Sequence, residues 1–289
     1  MTQLSPILKG SDYLFLPRGP ETWLIEPLLP AGGLAMLYGD PKVGKSYAAI
    51  QLALGLHDGT GWLGFRVPRP SRTVYIQLDT PRSLWGERLD ALAGAGVVGI
   101  DDLFLADKET LNTWPFDILR GDHQELLRNA LRPLEPDCVI IDTLREAHSG
   151  DENESTAMKA VVSSLVAAVH PAALILIHHS KKPSLEATPD LIHDMRGGYI
   201  AGAMDAIIKF SKKGVHFVGR SIEQGFIAAE RQDNGFWSVA ASEIDHWLPS
   251  VLDDRTLTTV TAQAEALMML TNQPLEACRA AVRRVGRRG

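Results

Sequence analysis

The chain has 289 residues, of which 45% are hydrophobic and 22% are charged, enough for one large or two modest domains with a buried core. Its 29 Lys and Arg against 35 Asp and Glu give a net charge of −6, which excludes a protein that coats nucleic acid through overall positive charge. Apolar runs such as Ala172–Ile177 are far shorter than the ~20 residues of a membrane helix. The first ten residues lack the apolar core of a signal peptide, so we expect a cytoplasmic protein with no membrane segment.

Short apolar runs alternate with amphipathic stretches from about residue 34 onward, a pattern typical of βα units that wind a parallel sheet. Buried strands are predicted at Leu34–Tyr38, Thr73–Leu78, Leu103–Ala106, Cys138–Asp142 and Leu174–His178. Helical spacing of apolar residues predicts helices at Ser46–Leu56, Pro81–Leu92, His123–Leu131 and Thr156–Val169. The sequence therefore predicts an α/β fold, in which a mostly parallel, twisted sheet is flanked by helices on both faces.

Beyond Arg196 the pattern changes to short strands separated by turn residues such as Asn234 and Gly235. Strands are predicted at Ala206–Phe210, Val215–Arg220, Phe226–Glu230 and Phe236–Ala240. They predict C-terminal antiparallel hairpins appended to the same sheet.

The two ends of the chain differ from its middle. We predict a proline-rich, extended lead-in over residues 1–30 that runs across the surface, a core domain over residues 31–245, and a small, helical and basic tail over residues 246–289. The arginines at the very end of this tail are either a solvated terminus or a contact for nucleic-acid phosphates.

The segment Gly39–Ser46 matches the pattern G-x-x-x-x-G-K-[ST] and lies between a predicted strand and a predicted helix, the context of a phosphate-binding loop. Its glycines let the backbone curl so that N–H groups and the helix N-terminus point at phosphate oxygens. We expect Lys45 to reach the β- and γ-phosphates of ATP and Ser46 to bind Mg²⁺. The predicted nucleotide-binding residues are Gly39, Asp40, Pro41, Lys42, Val43, Gly44, Lys45, Ser46 and Tyr47.

Two further strands end in carboxylates. Asp142 closes the apolar strand Cys138–Asp142, where it is expected to complete the Mg²⁺ site. Asp79 follows the strand after the loop helix and is the preferred candidate for the base that polarises water for attack on the γ-phosphate. Glu87, farther along the next helix, is the competing candidate, but a strand end holds a side chain more rigidly over the ligand-binding edge of the sheet.

Paired histidines close the strand that ends near residue 178. A zinc site is not indicated, because adjacent strand residues point to opposite faces and no third ligand stands at a suitable spacing. The polar residue at this strand end is placed to sense the γ-phosphate and to pass that state to the long loop that follows. This loop is expected to contact nucleic acid through Lys181, Lys182, His193 and Arg196.

Together these elements resemble the RecA-like P-loop ATPase superfamily, and specifically the branch of RepA-type hexameric replicative helicases of plasmids and phages. The resemblance spans about residues 20–240 and rests on an ordered set of segments: Trp23–Leu34, Tyr38–Ser46, Val74–Pro81, Ile140–Arg145, Ile177–Lys182, Arg196–Asp205 and Phe217–Glu223.

The resemblance implies roles for particular residues. Asp79 stands at the position of the family's catalytic carboxylate, usually a glutamate, and His179 matches the position that couples the γ-phosphate to the DNA-binding loop. In this family a basic residue of the neighbouring subunit completes the active site. Arg220 is the first candidate for that residue, Lys209 is the second, and Arg196 is a further candidate in trans.

The resemblance also implies an assembly and an activity. Sites completed by a neighbour are built by head-to-tail interfaces that close into rings or continue as filaments. We therefore expect a homo-oligomer, most simply a hexamer, that hydrolyses ATP to move along single-stranded DNA as a helicase in DNA replication. The alternatives are a RecA-core recombinase or annealing protein that forms filaments on DNA, and a regulatory ATPase that acts on protein partners.

Overall fold

A computed structural model describes residues 9–11, 23–113, 115–152, 154–180, 198–239 and 258–271, together with positions 252, 279 and 282. The strands are β1 (Trp23–Ile25), β2 (Leu29–Pro30), β3 (Leu34–Gly39), β4 (Thr73–Gln77), β5 (Phe104–Asp107), β6 (Cys138–Asp142), β7 (Ala173–His179), β8 (Ala206–Ser211), β9 (Gly214–Gly219), β10 (Gly225–Ile227), β11 (Ala229–Arg231) and β12 (Trp237–Val239). The helices are α1 (Lys45–Asp58), α2 (Arg82–Gly94), α3 (Gly121–Leu131), α4 (Ser155–Val169) and α5 (Val260–Thr271).

The main sheet has eight strands in the order β10-β9-β8-β3-β7-β6-β4-β5. The six strands from β8 to β5 are parallel, whereas β9 and β10 extend the sheet in antiparallel fashion. The strand that precedes the phosphate-binding loop, β3, is therefore central and is separated from β6 by β7. This arrangement confirms the predicted α/β fold and its mostly parallel sheet.

Hydrophobic cores cover both faces of the sheet, because successive strand residues point to opposite sides. Tyr75 belongs to the core beneath α1 and α2, where its ring stacks on Trp85 with centroids 5.2 Å apart. Its neighbour Ile76 belongs to the core beneath α3 and α4. Burial on both faces explains why the parallel strands read as continuous apolar runs in the sequence.

The last two strands depart from the prediction. The predicted strand Phe226–Glu230 is divided at Ala228, so that β10 pairs with β9 while β11 pairs with β12 in a separate two-stranded sheet. The side chain of Gln51 bonds both backbone groups of Trp237, accepting from its N at 3.0 Å and donating to its O at 2.8 Å. These contacts hold β12 against α1 instead of at the edge of the main sheet.

The lead-in is more buried than predicted, and part of the tail is buried as well. Residues 23–30 form the β1–β2 hairpin, and Leu24 and Leu29 within it belong to the hydrophobic core. This part of the lead-in therefore does not run across the surface. In the tail, Ala264 and Leu267 of α5 are buried. None of the helices within the described ranges has the length and hydrophobicity needed to cross a membrane.

Candidate nucleotide-binding site

The parallel strands end along one side of the main sheet, which we call the carboxyl edge. Strand β3 ends at Gly39, β7 at His179, β6 at Asp142 and β4 at Gln77. Ligands of open α/β sheets bind at this edge, because loops from several strands converge there. The carboxyl edge therefore brings together the sequence segments that were predicted to form the active site.

The loop between β3 and α1 needs unusual backbone angles. Lys42 and Gly44 have positive φ values of 63° and 105°, a conformation that glycine adopts without strain. A Cβ on Gly39 would lie 2.4 Å from the carbonyl oxygen of Phe210, and one on Gly44 would lie 2.9 Å from Cδ of Arg231. Close packing against the backbone therefore requires a glycine at position 39, whereas the positive φ value favours a glycine at position 44.

Lys45, the first residue of α1, is held inside the loop. Its Nζ donates to the carbonyl oxygens of Gly39 and Asp40, each at 2.9 Å, and the residue is 6% exposed. Burial lowers the pKa of Lys45 to about 8, although the nearby carboxylates of Asp142, Asp40 and Asp79 oppose this shift. The loop's own carbonyls thus hold the ammonium group where phosphate oxygens are expected to bind.

Asp142, at the end of β6, is only 2% exposed. Its Oδ2 accepts hydrogen bonds from Tyr75 Oη at 2.7 Å and from Gln77 Nε2 at 3.2 Å, and its carboxylate also bonds the Ser46 side chain. Burial raises the pKa of Asp142, and the bonds from Ser46 and Tyr75 partly oppose that effect.

These residues fit a magnesium site. The Ser46 hydroxyl and the Asp142 carboxylate are in contact, and such hard oxygen donors are the ligands that Mg²⁺ prefers. A divalent cation would also stabilise the buried charge of Asp142. When bound with ATP, the ion would neutralise charge that develops on the phosphates.

Asp79 lies two residues beyond β4, and its side chain is exposed. Its backbone N donates to Gln77 Oε1 at 2.7 Å, and the N of Thr80 donates to the same oxygen at 3.0 Å. The charge of Asp79 raises the pKa of both Lys45 and Asp142. The structure therefore places this carboxylate beside the phosphate-binding loop, where it can accept a proton from an attacking water.

The competing carboxylate, Glu87, lies on α2. Asp79 and Glu87 line the same open cleft, together with Tyr47. Glu87, unlike Asp79, is not among the charges that shift the pKa of Lys45 or Asp142. This electrostatic difference indicates that the carboxylate of Asp79 lies nearer to Lys45 and Asp142 than that of Glu87.

Arg88 is a site residue that the sequence reasoning missed. Its guanidinium carbon lies 5.1 Å from the ring centroid of Tyr47 and 5.4 Å from that of Trp85, and its charge lowers the pKa of Asp142. Its buried Nη1 has no hydrogen-bond partner in the described part of the chain. Its signal in the sequence is its place between Trp85 and Leu92, which are the two buried residues of α2 in the structure.

The two histidines lie beside the phosphate-binding loop. In the parallel pairing of β3 with β7, His178 is opposite Tyr38 and His179 is opposite Gly39. His178 is completely buried, whereas His179 is partly exposed. His179 therefore occupies the position predicted for a γ-phosphate sensor, and that role remains a prediction.

Arg220 lies far from these residues in its own chain. Strand β9 runs antiparallel to β8, so Arg220 follows β9 at the amino edge, where the parallel strands begin. There its Nε lies 3.3 Å from Asp205 Oδ1, and its Nη2 donates to the carbonyl oxygen of Gly202 at 3.2 Å. The second candidate, Lys209, pairs with Tyr38 near the carboxyl edge.

The predicted DNA-binding residues Lys181, Lys182, His193 and Arg196 lie outside the described residues. So do Arg283, Arg284, Arg287 and Arg288 of the basic tail.

Residues 8–184 match the protein family described as AAA domain. The match covers more than half of the chain and includes the phosphate-binding loop, Asp79 and Asp142. The chain belongs to this AAA domain family. It is a P-loop ATPase, and the geometry of Lys45, Ser46 and Asp142 agrees with that assignment.

Comparison with solved structures supports the same fold. The chain is similar to a KaiC-like protein, PH0186, of the hyperthermophilic archaeon Pyrococcus horikoshii, with a TM-score of 0.50 over 75% of this chain and 93% of the other. The sequences are 12% identical, so the likeness concerns the fold alone. Together with the family match, it supports a RecA-like P-loop ATPase fold for this AAA domain.

Proposed function

We propose that this AAA domain protein is an ATP-driven motor on single-stranded DNA, a hexameric replicative-type helicase of a plasmid, phage or other mobile element. The observation that supports the proposal is a contact between the phosphate-binding loop and the end of β7. Ser180 donates from Oγ to Asp40 Oδ1 at 2.6 Å and from its N to the carbonyl oxygen of Gly39 at 3.2 Å. The next residue in the chain is Lys181, the first of the basic segment 181–196.

Through this contact, nucleotide binding can change the conformation of the segment proposed to bind DNA. Lys45 bonds the same two residues, Gly39 and Asp40, through their carbonyl oxygens. When ATP draws Lys45 toward its phosphates, these carbonyls lose their bonds from Lys45 and the loop that holds Ser180 can shift. The basic segment then changes its hold on the DNA backbone, with His179 reporting the γ-phosphate.

In the proposed reaction, Asp79 orients a water and accepts its proton as the water attacks the γ-phosphate. Lys45 stabilises the charge on the phosphates, and Ser46 and Asp142 hold Mg²⁺. A basic residue from the adjacent subunit, Arg220 or Lys209, completes the site in trans. Such a head-to-tail interface forms a ring when its rotation closes. A net-acidic subunit is compatible with DNA binding because only the channel needs positive charge.

The proposal is tested by steady-state ATP hydrolysis with and without single-stranded DNA. Lys45→Ala serves as the inactive variant, and Lys159→Ala, on the exposed side of α4, is the matched control that removes a lysine elsewhere. We expect DNA to stimulate the wild type and Lys159→Ala several-fold, while Lys45→Ala shows no hydrolysis. Native mass spectrometry of the same samples should show hexamers.

Other outcomes favour the alternative functions. DNA-stimulated hydrolysis with stoichiometric coating of DNA, and no unwinding of a forked duplex, would favour a filament-forming recombinase. Hydrolysis that DNA does not stimulate, together with absent DNA binding, would contradict the motor and favour an ATPase directed at protein partners.

A further inference from the structure

The β11–β12 hairpin, residues 229–239, is placed against the phosphate-binding loop of its own chain. Arg231 pairs with Trp237 across the hairpin, so both side chains lie on one face, together with Ala229. Ala229 and Trp237 are buried, whereas Glu230 and Ser238 on the other face are exposed. Arg231 is also exposed, and it is the charged residue on the face of β11 that carries Ala229.

Several contacts fix the hairpin on the first turns of α1. The Gln51 side chain bonds both backbone groups of Trp237, and Trp237 Nε1 donates to the carbonyl oxygen of Gly44 at 3.4 Å. Gly235, in the turn, packs so closely that a Cβ there would lie 2.4 Å from Cδ1 of Tyr47. The hairpin is therefore seated directly on the phosphate-binding loop and on Tyr47.

Because the hairpin packs there, the guanidinium group of Arg231 lies beside the phosphate-binding loop. Its Cδ lies 2.9 Å from the Cβ position of Gly44, and its guanidinium carbon lies 4.9 Å from the ring centroid of Tyr47. The guanidinium forms no ion pair with any carboxylate of the described residues. Its charge is therefore available to an anionic ligand at the start of α1.

The position along the loop indicates which part of the nucleotide is near. Backbone N–H groups of a phosphate-binding loop and of the first helical turn cradle the α- and β-phosphates, whereas the motif lysine reaches toward the γ-phosphate. Arg231 contacts Gly44 and Tyr47, which flank Lys45 and Ser46. A guanidinium there faces the diphosphate that ATP and ADP share.

We propose that Arg231 binds the α- and β-phosphates in cis, so that the β11–β12 hairpin closes on the diphosphate of ATP and ADP alike. The inference rests on the nucleotide-binding part of the proposed function and not on DNA. It gives Arg231 a different task from His179, which is proposed to sense the γ-phosphate, and from the cation supplied by a neighbouring subunit.

The test compares the affinities of fluorescent mant-ATP and mant-ADP in the absence of DNA. Arg231→Met keeps the aliphatic contact with Gly44 but removes the charge, and Arg231→Lys keeps the charge. Because charge-assisted hydrogen bonds to phosphate are strong, we expect Arg231→Met to weaken both nucleotides by about 10-fold. Arg231→Lys should lose much less, and Glu230→Gln, on the other face of the same strand, should match the wild type.

Equal affinities of Arg231→Met and the wild type for both nucleotides would overturn the inference, and so would a loss confined to mant-ATP, which would indicate a γ-phosphate contact. Thermal melting identifies a folding defect, in which case Arg231→Gln replaces the Met variant and the same comparison is made. If DNA fails to stimulate hydrolysis but Arg231→Met still weakens mant-ADP binding, the motor proposal fails and this inference stands.

Discussion

The two edges of the main sheet bury different kinds of side chain. At the carboxyl edge, Lys45, Gln77 and Asp142 are buried around the phosphate-binding loop. The part of the amino edge near β3 and β7 is lined mainly by apolar residues such as Leu34 and Leu174, and its charged residues are joined in the Asp205–Arg220 pair.

The difference separates the residues expected to take part in the reaction from the residues that stabilise the fold. Buried polar and charged groups lower stability unless they are fully paired, so a concentration of them marks the edge where a ligand is expected to complete the pairing. In the part of the amino edge near β3 and β7 the charge is already paired, because Asp205 accepts from the N of Leu34 at 2.9 Å and binds Arg220 at 3.3 Å. Substitutions at the first edge should change catalysis, and those at the second should change stability.

The largest expected effect is at Asp79. Asp79→Asn removes the proton acceptor but keeps the shape of the side chain, so we expect hydrolysis to fall by about 100-fold or more while mant-ATP binding is retained. Steady-state hydrolysis and equilibrium binding measure the two effects separately.

Glu87→Gln is the matched control for this prediction, since Glu87 lines the same cleft. We expect it to keep most of the wild-type hydrolysis rate. A larger loss in Glu87→Gln than in Asp79→Asn would assign the base to α2 instead of the end of β4.

The second prediction concerns pH and Lys45. The pKa of Lys45 is lowered to about 8 by burial, so the group loses its proton above that pH, and ATP binding must then restore it. We expect ATP affinity to fall about 10-fold between pH 7 and pH 9. Isothermal titration calorimetry at pH 9, in buffers of different ionisation enthalpy, should show proton uptake on binding. An ATP affinity that does not change between pH 7 and pH 9 would contradict the lowered pKa of Lys45.

At the amino edge, Arg220→Ala should act mainly on stability. Loss of the exposed pair with Asp205 and of the bonds to nearby carbonyls should lower the melting temperature by about 2–4 °C, as measured by calorimetry. If Arg220 also acts in trans, mixing Arg220→Ala with Lys45→Ala subunits should restore part of the hydrolysis. Intact mixed oligomers without any recovery would leave Arg220 a structural residue.

An effect of similar size is expected at Asp107, a buried charge at the carboxyl edge that is already paired. Arg82 donates from Nε and Nη2 to its two oxygens, each at 2.7 Å, and this bond is the main reason that the pKa of Asp107 is lowered from 3.8 to about 2. Because the folded-state pKa is lower, the stabilisation is present above about pH 4 and is lost as the pH falls toward 2.

Asp107→Asn should therefore lower the melting temperature by a few degrees at pH 7 and by much less near pH 2, with little change in ATP binding. A strong loss of ATP binding would instead show that Asp107 belongs to the chemistry of this edge.

The sequence was sufficient to predict the parts of the molecule that depend on local pattern. Strand β6 has the predicted bounds Cys138–Asp142, and α1 begins one residue before its predicted start at Ser46. The bounds of β6 follow from an apolar run, and the start of α1 follows from a loop motif with glycines at fixed positions. The placement of Asp79 and Asp142 at one edge also follows, because parallel strands all end on the same side of a sheet.

The parts that depend on long-range packing could not be predicted. Arg231 reaches Gly44 only because the chain changes sheets at Ala228 and Gln51 then holds Trp237. No local pattern encodes that choice between two possible partners for a short strand. Arg88 was overlooked for a related reason, since an arginine on a largely exposed helix reads as a solvated residue until Tyr47 and Trp85 are seen to pack around it.

The amide of Gln77 has a consequence for how this enzyme prepares its reaction. One end of the amide bonds Asp142 and the other holds the backbone at Asp79 and Thr80, so a single planar group sets the spacing between the candidate metal ligand and the candidate base. An amide does not titrate, and this geometry is therefore independent of pH over the range in which the flanking carboxylates ionise. Preorganisation of this kind reduces the reorganisation needed in the transition state. A glutamate at position 77 would place a repelling charge beside Asp142 and abolish this preorganisation.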